Sequence, residues 1–116
     1  MPRFAILRHE GPRGLHWDLL LETGAVLRTW ALPQAPAPGV EMAARALGDH
    51  RLLYLDYEGP ISGGRGAVSV WDRGVYHCQQ QSDEELAIEL SGGRIRGRAT
   101  LRRVPGTADQ WQFCMA

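Results

Sequence analysis

The residues best suited to chemistry stand in one short segment, Arg8-His9-Glu10-Gly11-Pro12-Arg13-Gly14-Leu15-His16-Trp17-Asp18. If Leu15–Glu22 is a β-strand, alternate side chains share a face. His16, Asp18, Leu20 and Glu22 then point one way, and Trp17, Leu19 and Leu21 point the other, into a core. A histidine and an aspartate two apart on a strand can converge on one ion, and imidazole with carboxylate suits Mn²⁺, Zn²⁺ or Fe²⁺. His9 closes the preceding apolar run, and the tight Gly11–Gly14 turn brings the chain back beside it. Two imidazoles and one carboxylate leave coordination positions open, as a catalytic metal requires. The three reactive atoms are expected within roughly 5 Å of one another. A His-x-Asp pair is also ordinary on the solvent face of a strand, so the pattern alone admits both readings.

A second cluster is Asp49-His50-Arg51-Leu52-Leu53-Tyr54-Leu55-Asp56-Tyr57-Glu58-Gly59. On a regular strand His50, Leu52, Tyr54 and Asp56 share a face. His50 and Tyr54 could contact a phosphoryl group or assist proton transfer. The alternative is a rim histidine and a core tyrosine.

The basic residues are 13 arginines with no lysine, balanced by 13 acidic residues to zero net charge. Zero net charge argues against a general polyanion binder. Arginine's planar fork nevertheless suits phosphate oxygens, so placement decides. Arg94, Arg96, Arg98, Thr100 and Arg102 alternate along one strand face and could track a phosphate backbone. The same pattern is the ordinary solvated face of an antiparallel strand.

The elements that must position these residues are mostly strands. Phe4–Arg8, Leu15–Glu22, Ala25–Leu32, Arg51–Tyr57, Gly66–Trp71, Val75–Gln80, Leu86–Leu90, Arg94–Val104 and Gln110–Met115 read as short strands separated by Gly, Pro, Asp or Ser. One helix is expected over Val40–Leu47, after the Pro-rich Pro33–Pro38 connection and ending at Gly48. The expected fold is mainly β: a small closed or nearly closed barrel of about eight strands, with one or two short helices. The 116 residues suit a single domain, 1–116, with a modest core. The four tryptophans are expected in that core rather than as base-stacking platforms.

The 44% hydrophobic and 22% charged composition fits a globular chain, and no apolar run approaches a membrane span of about 20 residues. No apolar signal segment follows Arg3, so a cytoplasmic location without membrane association is expected. Cys78 and Cys114 lack metal-site spacing and are expected as free thiols.

Several motifs in order carry a resemblance to a known family. They are Phe4-Ala5-Ile6-Leu7-Arg8-His9, Leu15-His16-Trp17-Asp18-Leu19, and Leu27-Arg28-Thr29-Trp30-Ala31-Leu32-Pro33. Asp49-His50 with Tyr54 and Asp56-Tyr57-Glu58-Gly59 follow, then Gly63-Gly64-Arg65-Gly66-Ala67, Val70-Trp71-Asp72-Arg73-Gly74, Gly97-Arg98-Ala99-Thr100-Leu101 and Trp111. Together they resemble the 3′-phosphoesterase module of bacterial DNA ligase D, over about residues 4 to 113. The resemblance implies a Mn²⁺-dependent enzyme, with Zn²⁺ or Co²⁺ as other candidate metals. Such an enzyme removes a 3′-phosphate or trims a 3′ ribonucleotide at primer-template or broken DNA ends, for a ligase or polymerase to use. It implies that His9, His16 and Asp18 bind the metal while His50 and Tyr54 work at the phosphate.

The sequence departs from that family in places. The gap between His9 and His16 is one residue longer, Leu20 stands where the family has an active-site arginine, and Leu7 replaces a polar residue. Gln34 replaces a lysine and Gly48 replaces an acidic residue, and the polar N-terminal extension of some members is expected to be absent. Leucine cannot make arginine's charge-assisted contact to phosphate. Arg13, Arg51 or Arg65 could supply the charge, Arg13 foremost. Three functions fit: a 3′-phosphoesterase, a non-catalytic module binding DNA ends or a repair partner, or an enzyme of the same chemistry on another small phosphate ester.

Overall fold

Alternation of apolar and polar residues is answered by nine strands in the structure, a computed structural model that describes residues 1–116. They are β1 (Arg3–Gly11), β2 (Gly14–Thr23), β3 (Val26–Leu32), β4 (Glu41–Arg51), β5 (Gly59–Pro60), β6 (Ala67–Gln81), β7 (Glu85–Gly92), β8 (Arg96–Arg103) and β9 (Gln110–Met115). Strands follow the order β1-β2-β3-β4-β9-β8-β7-β6, and β6 returns to pair with β1, which makes a ring of eight strands, a nearly closed barrel. The short β5 adds to the edge of β6.

Two long strands turn the corners. β4 pairs with β9 through Glu41–Arg45 and with β3 through Arg45–Arg51. β6 pairs with β1 through Ala67–Val75 and with β7 through Gly74–Gln81. Handing a strand from one neighbour to the next lets a twisted sheet close without leaving exposed edges.

The interior holds 18 buried residues, among them Phe4, Ile6, Leu19, Leu21, Trp30 and Phe113. Trp30 and Trp111 lie inside it, and Trp17 and Trp71 pack against it. The facing expected for β2 holds: Leu19 and Leu21 are interior, and Asp18 and Leu20 face outward. Outward does not mean exposed here. Ala5, Leu7, Leu20, Leu27, Leu55 and Val68 form a second buried cluster on the outer wall of β1, β2 and β3. The chain after β4 covers it.

Four expectations are corrected. Val40–Leu47 is not a helix: Glu41–Arg51 is β4, despite the helix-forming run Glu-Met-Ala-Ala-Arg-Ala-Leu. Met42 and Ala44 alternate into the core, and ladders on both sides outweigh an intrinsic propensity of tenths of a kcal/mol per residue. Arg51–Tyr57 is not a strand: Leu52–Leu55 is a single 3₁₀ turn, the only helical element. Gly66–Trp71 and Val75–Gln80 belong to one strand, the 15-residue β6, because Asp72-Arg73-Gly74 continues extended rather than turning. Arg94 precedes β8, and its guanidinium lies 5.1 Å from the Trp71 ring centroid.

The shortened arginine stripe meets acids across the ladder. Arg98 is opposite Glu89, and Arg102 is opposite Glu85 with 3.5 Å between Nε and Oε2. That is the composition of a solvated antiparallel face. Cys78 and Cys114 are free. No helix is long and apolar enough to cross a membrane.

Candidate metal and phosphate site

His9 lies near the turn end of β1, and it pairs directly with His16 of β2. Directly paired residues in an antiparallel ladder project to the same side. Their rings accordingly sit 4.5 Å apart between centroids. Asp18, two residues along β2, faces the same way. One ligand atom from each of His9, His16 and Asp18 lies within 4.8 Å of the others.

The carboxylate sits between the two rings. Asp18 Oδ2 is 2.9 Å from His9 Nδ1, and Oδ1 is 2.9 Å from His16 Nε2. Asp18 is only 4% exposed, yet Oδ1 has no hydrogen-bond donor although His16 Nε2 lies 2.9 Å away. A buried carboxylate oxygen without a donor is costly unless a cation satisfies it. This orphaned oxygen beside two imidazoles fits a divalent transition metal.

His9 is also oriented from behind. Its Nε2 lies 2.7 Å from the Arg65 carbonyl, which can only accept, so Nε2 carries the proton. Nδ1, 2.9 Å from Asp18 Oδ2, is then the nitrogen that would turn its lone pair to an ion held between ring and carboxylate. A backbone carbonyl that fixes the tautomer of a histidine is a recurring support for metal ligation. The Gly-rich loop explains how Arg65 comes so close. Gly66 has φ +92°, and a Cβ there would collide with the Glu10 carbonyl oxygen. Only glycine lets this loop lie against the end of β1.

His50 lies at the end of β4, opposite Leu27. Its Nδ1 lies 2.9 Å from the Gly48 carbonyl and 3.0 Å from Thr29 Oγ1. The Thr29 hydroxyl donates to the Leu27 carbonyl at 3.1 Å, so Nδ1–H is the donor to both acceptors. Nε2 is left as the free nitrogen. Tyr54, on the 3₁₀ turn, packs edge-on against His50 at 5.8 Å between centroids. Thr29 and Gly48 therefore orient His50, and Tyr54 flanks it.

Two cavities of about 330 Å³ and 380 Å³ share His9, Asp18, His50 and Arg65 in their walls. The first continues to Tyr54, Arg51 and the apolar Leu7, Ile61 and Val68. The second continues to His16, Arg13 and Arg45. His50 and Tyr54 thus border the same space as the His9–Asp18 cluster. Of the three arginines singled out from sequence, Arg13 is exposed on the turn. The Arg51 guanidinium lies 6.0 Å from the Tyr54 ring centroid. The Arg65 guanidinium is tied to Ser62, with Nε donating to its carbonyl at 2.8 Å. Thr29 and Arg45 were not singled out. The Leu27–Pro33 motif contains Thr29, but its contact to His50 depends on the β3–β4 register; Arg45 was hidden by the helical reading.

The two leucines at polar family positions explain each other. Leu7 and Leu20 belong to the same outer cluster and are 2% and 0% exposed. The floor beneath the site is an apolar plug, not a polar pocket missing one group. Leu20→Arg would bury an unpaired guanidinium there and is expected to cost about 3–5 kcal/mol in urea unfolding, with no gain in activity. A Leu20→Arg protein as stable as the parent would show that the plug has room for a charge.

Ring and cluster together define a small β-barrel protein with a His-His-Asp centre on its outer wall, beside a cleft rich in arginine. The chain belongs to the DNA ligase D 3′-phosphoesterase domain family, whose model matches residues 7–103. It is 36% identical over 121 residues to the multifunctional non-homologous end joining protein LigD of Pseudomonas aeruginosa, covering 94% of this chain and 14% of that protein. The LigD protein of Mycobacterium bovis is 36% identical over 117 residues, covering 93% of this chain and 15% of its own. That of Mycolicibacterium smegmatis is 31% identical over 120 residues, with 90% and 16% covered. The chain therefore spans about one-seventh of the length of the curated relatives it matches.

Proposed function

We propose that this chain is a metal-dependent 3′-phosphoesterase that heals DNA 3′ ends in the cytoplasm, using Mn²⁺ or another divalent transition metal such as Zn²⁺ or Co²⁺. The observation that carries the reading is the convergence of His9, His16 and Asp18 around an orphaned carboxylate oxygen, across a shared cavity from His50. Family membership supports DNA 3′ ends as the substrate class. Its partners are primer-template or broken ends, and the 3′-hydroxyl it leaves would pass to a ligase or polymerase.

His9, His16 and Asp18 would hold the metal. A bound divalent ion supplies charge neutralisation at phosphate and a more acidic bound water. The chain's own residues do the rest. Arg65 holds His9 in its ligating tautomer through its carbonyl. Thr29 and Gly48 orient His50 through Nδ1, so that Nε2 faces the cavity, where in its protonated form it would donate to a phosphate oxygen. Tyr54 fixes the rim beside it. In the hydrolysis, a water oxygen forms the new bond to phosphorus as the bond to the 3′ oxygen breaks. One proton of that water ends on the departing 3′ oxygen, which leaves as a hydroxyl, and the other stays with the inorganic phosphate that is released.

The test is Mn²⁺-dependent release of phosphate from a 3′-phosphorylated primer-template, with His16→Ala as the inactive control. His50→Ala is expected to lower kcat by about 10²–10⁴-fold, the usual worth of a positioned proton-transfer or phosphate-contacting group, while Mn²⁺ binding persists. Unchanged turnover would make His50 structural. The buried Leu7–Leu20 plug favours a second reading, a non-catalytic module that binds DNA ends. Wild-type protein that binds such ends but releases no phosphate would select it.

A further inference from the structure

The register of the outer wall brings to the site one charged residue that no sequence motif marks. Leu7, Asp18, Ala31 and Arg45 are direct partners across β1, β2, β3 and β4. Direct partners point to the same side of a sheet, so Arg45 stands on the same face and rung as Asp18. Two strand spacings separate them, roughly 9–10 Å. The residue between is alanine, whose side chain ends at Cβ. Nothing on that rung therefore props the Arg45 side chain away from the carboxylate, and Arg45 lines the same cavity as His16 and Asp18.

The other arginines of the cleft are less suited to hold an anion there. Arg65 is tied back to Ser62, and Arg51 lies over the Tyr54 ring in the neighbouring cavity. Arg13 rides on an exposed turn. Arg45 projects from a strand paired on both sides. Its one carboxylate neighbour is Asp109, with Nε 3.9 Å from Oδ2 and both side chains more than half exposed. Exposed pairs of that kind are worth little, and a terminal phosphate of about −1.5 to −2 charge outcompetes them.

We propose that Arg45 is the substrate-binding residue that grips the terminal 3′-phosphate, reaching over Ala31 toward the His9–His16–Asp18 centre. The assignment rests on the phosphoesterase reading for its ligand. It places the positive charge of the cleft on β4, on the far side of the centre from the apolar plug at Leu7 and Leu20.

Four proteins test it: wild type, Arg45→Ala, Arg45→Lys and Ala31→Leu. Turnover of a 3′-phosphorylated duplex is measured with Mn²⁺, together with product inhibition by inorganic phosphate. Binding of duplexes ending in 3′-phosphate or 3′-hydroxyl is measured by fluorescence anisotropy in EDTA, where no turnover occurs. Arg45→Ala is expected to raise both KM and the phosphate inhibition constant about 10–100-fold, the loss of one charge-assisted contact. It should also erase the preference for a 3′-phosphate end while Mn²⁺ affinity stays the same. Arg45→Lys should recover part of the loss, because it keeps the charge but not the fork. Ala31→Leu should reproduce the defect with the arginine intact, which mere loss of surface charge would not do. An active wild type with an Arg45→Ala variant within twofold of it in all three readouts overturns the assignment and leaves the phosphoesterase reading standing. An inactive wild type that still prefers 3′-phosphate ends, and loses that preference with Arg45→Ala, keeps the assignment and removes catalysis. A wild type with no preference between the two ends overturns it outright.

Discussion

Asp18→Asn is expected to lower Mn²⁺-dependent phosphate release by about 10³-fold or more, and to remove Mn²⁺-dependent thermal stabilisation with it. The first effect follows from the carboxylate's place between both imidazoles, 2.9 Å from each. An amide keeps the shape but gives up the negative charge that a divalent ion needs. Loss of several kcal/mol of charge stabilisation at the phosphate corresponds to roughly three decades in rate. The second effect separates metal binding from catalysis. A ligand that binds only the folded state stabilises it by about 2.7 kcal/mol at a concentration of 100 Kd, so wild-type protein should melt higher as Mn²⁺ is added. The Asp18→Asn protein should not respond. In EDTA the order should reverse or level, since a buried carboxylate with one unsatisfied oxygen is replaced by a neutral group. Differential scanning in EDTA and in Mn²⁺ checks both signs. An Asp18→Asn protein that Mn²⁺ stabilises as strongly as the parent would take Asp18 out of the metal set.

Much of this centre was legible because it depends on the two-residue period of one strand. His16 and Asp18 must share a face if Leu19 and Leu21 are buried, and a four-residue turn leaves His9 nowhere to go but beside them. Residues brought in by non-local register were not legible. Thr29 reaches His50 only because β3 and β4 pair with a shift between Leu27 and Thr29. Arg45 was hidden by a run of strong helix formers, whose preference is small beside two hydrogen-bonded ladders and a buried Met42. The same run concealed β4 itself. The barrel was readable from the spacing of turns, but its closure was not, because the segment that looked like a turn, Asp72-Arg73-Gly74, lies inside the strand that closes the ring. Leu7 and Leu20 stood out in the sequence as separate departures from the family. Their contact in one buried cluster makes them parts of a single apolar floor.

Asp72 gives the second large effect, on stability rather than chemistry. It is 6% exposed and lies opposite Ile6 where β6 passes from β1 to β7. Its Oδ1 accepts from the backbone N–H groups of Arg73 and Gly93, both at 2.8 Å, and its Oδ2 accepts from that of Ile95 at 2.9 Å. One carboxylate thus fixes the turn between β7 and β8 to the strand that closes the ring. The fit leaves no slack, because a Cβ on Gly92 would collide with Asp72 Oδ2 and fall 2.8 Å from Phe4 Cζ. Asp72→Ala strands three amide donors in a site with little access to water. Each buried unsatisfied group costs about 1–3 kcal/mol, so a loss of at least about 3 kcal/mol is expected for the three. That is a large share of the roughly 5–15 kcal/mol typical of a small domain. Asp72→Asn retains the shape and one accepting oxygen, and should lose about half as much. Urea titration followed by tryptophan fluorescence reads the difference directly, because Trp71 adjoins Asp72 in the chain and Trp30 lies in the core. The Trp-Asp-Arg-Gly segment then owes its place in the motif to ring closure. An Asp72→Ala protein within about 1 kcal/mol of the parent, below the usual cost of even one stranded amide, would mean that the three amides find other partners, and the role of Asp72 would have to be sought at the surface instead.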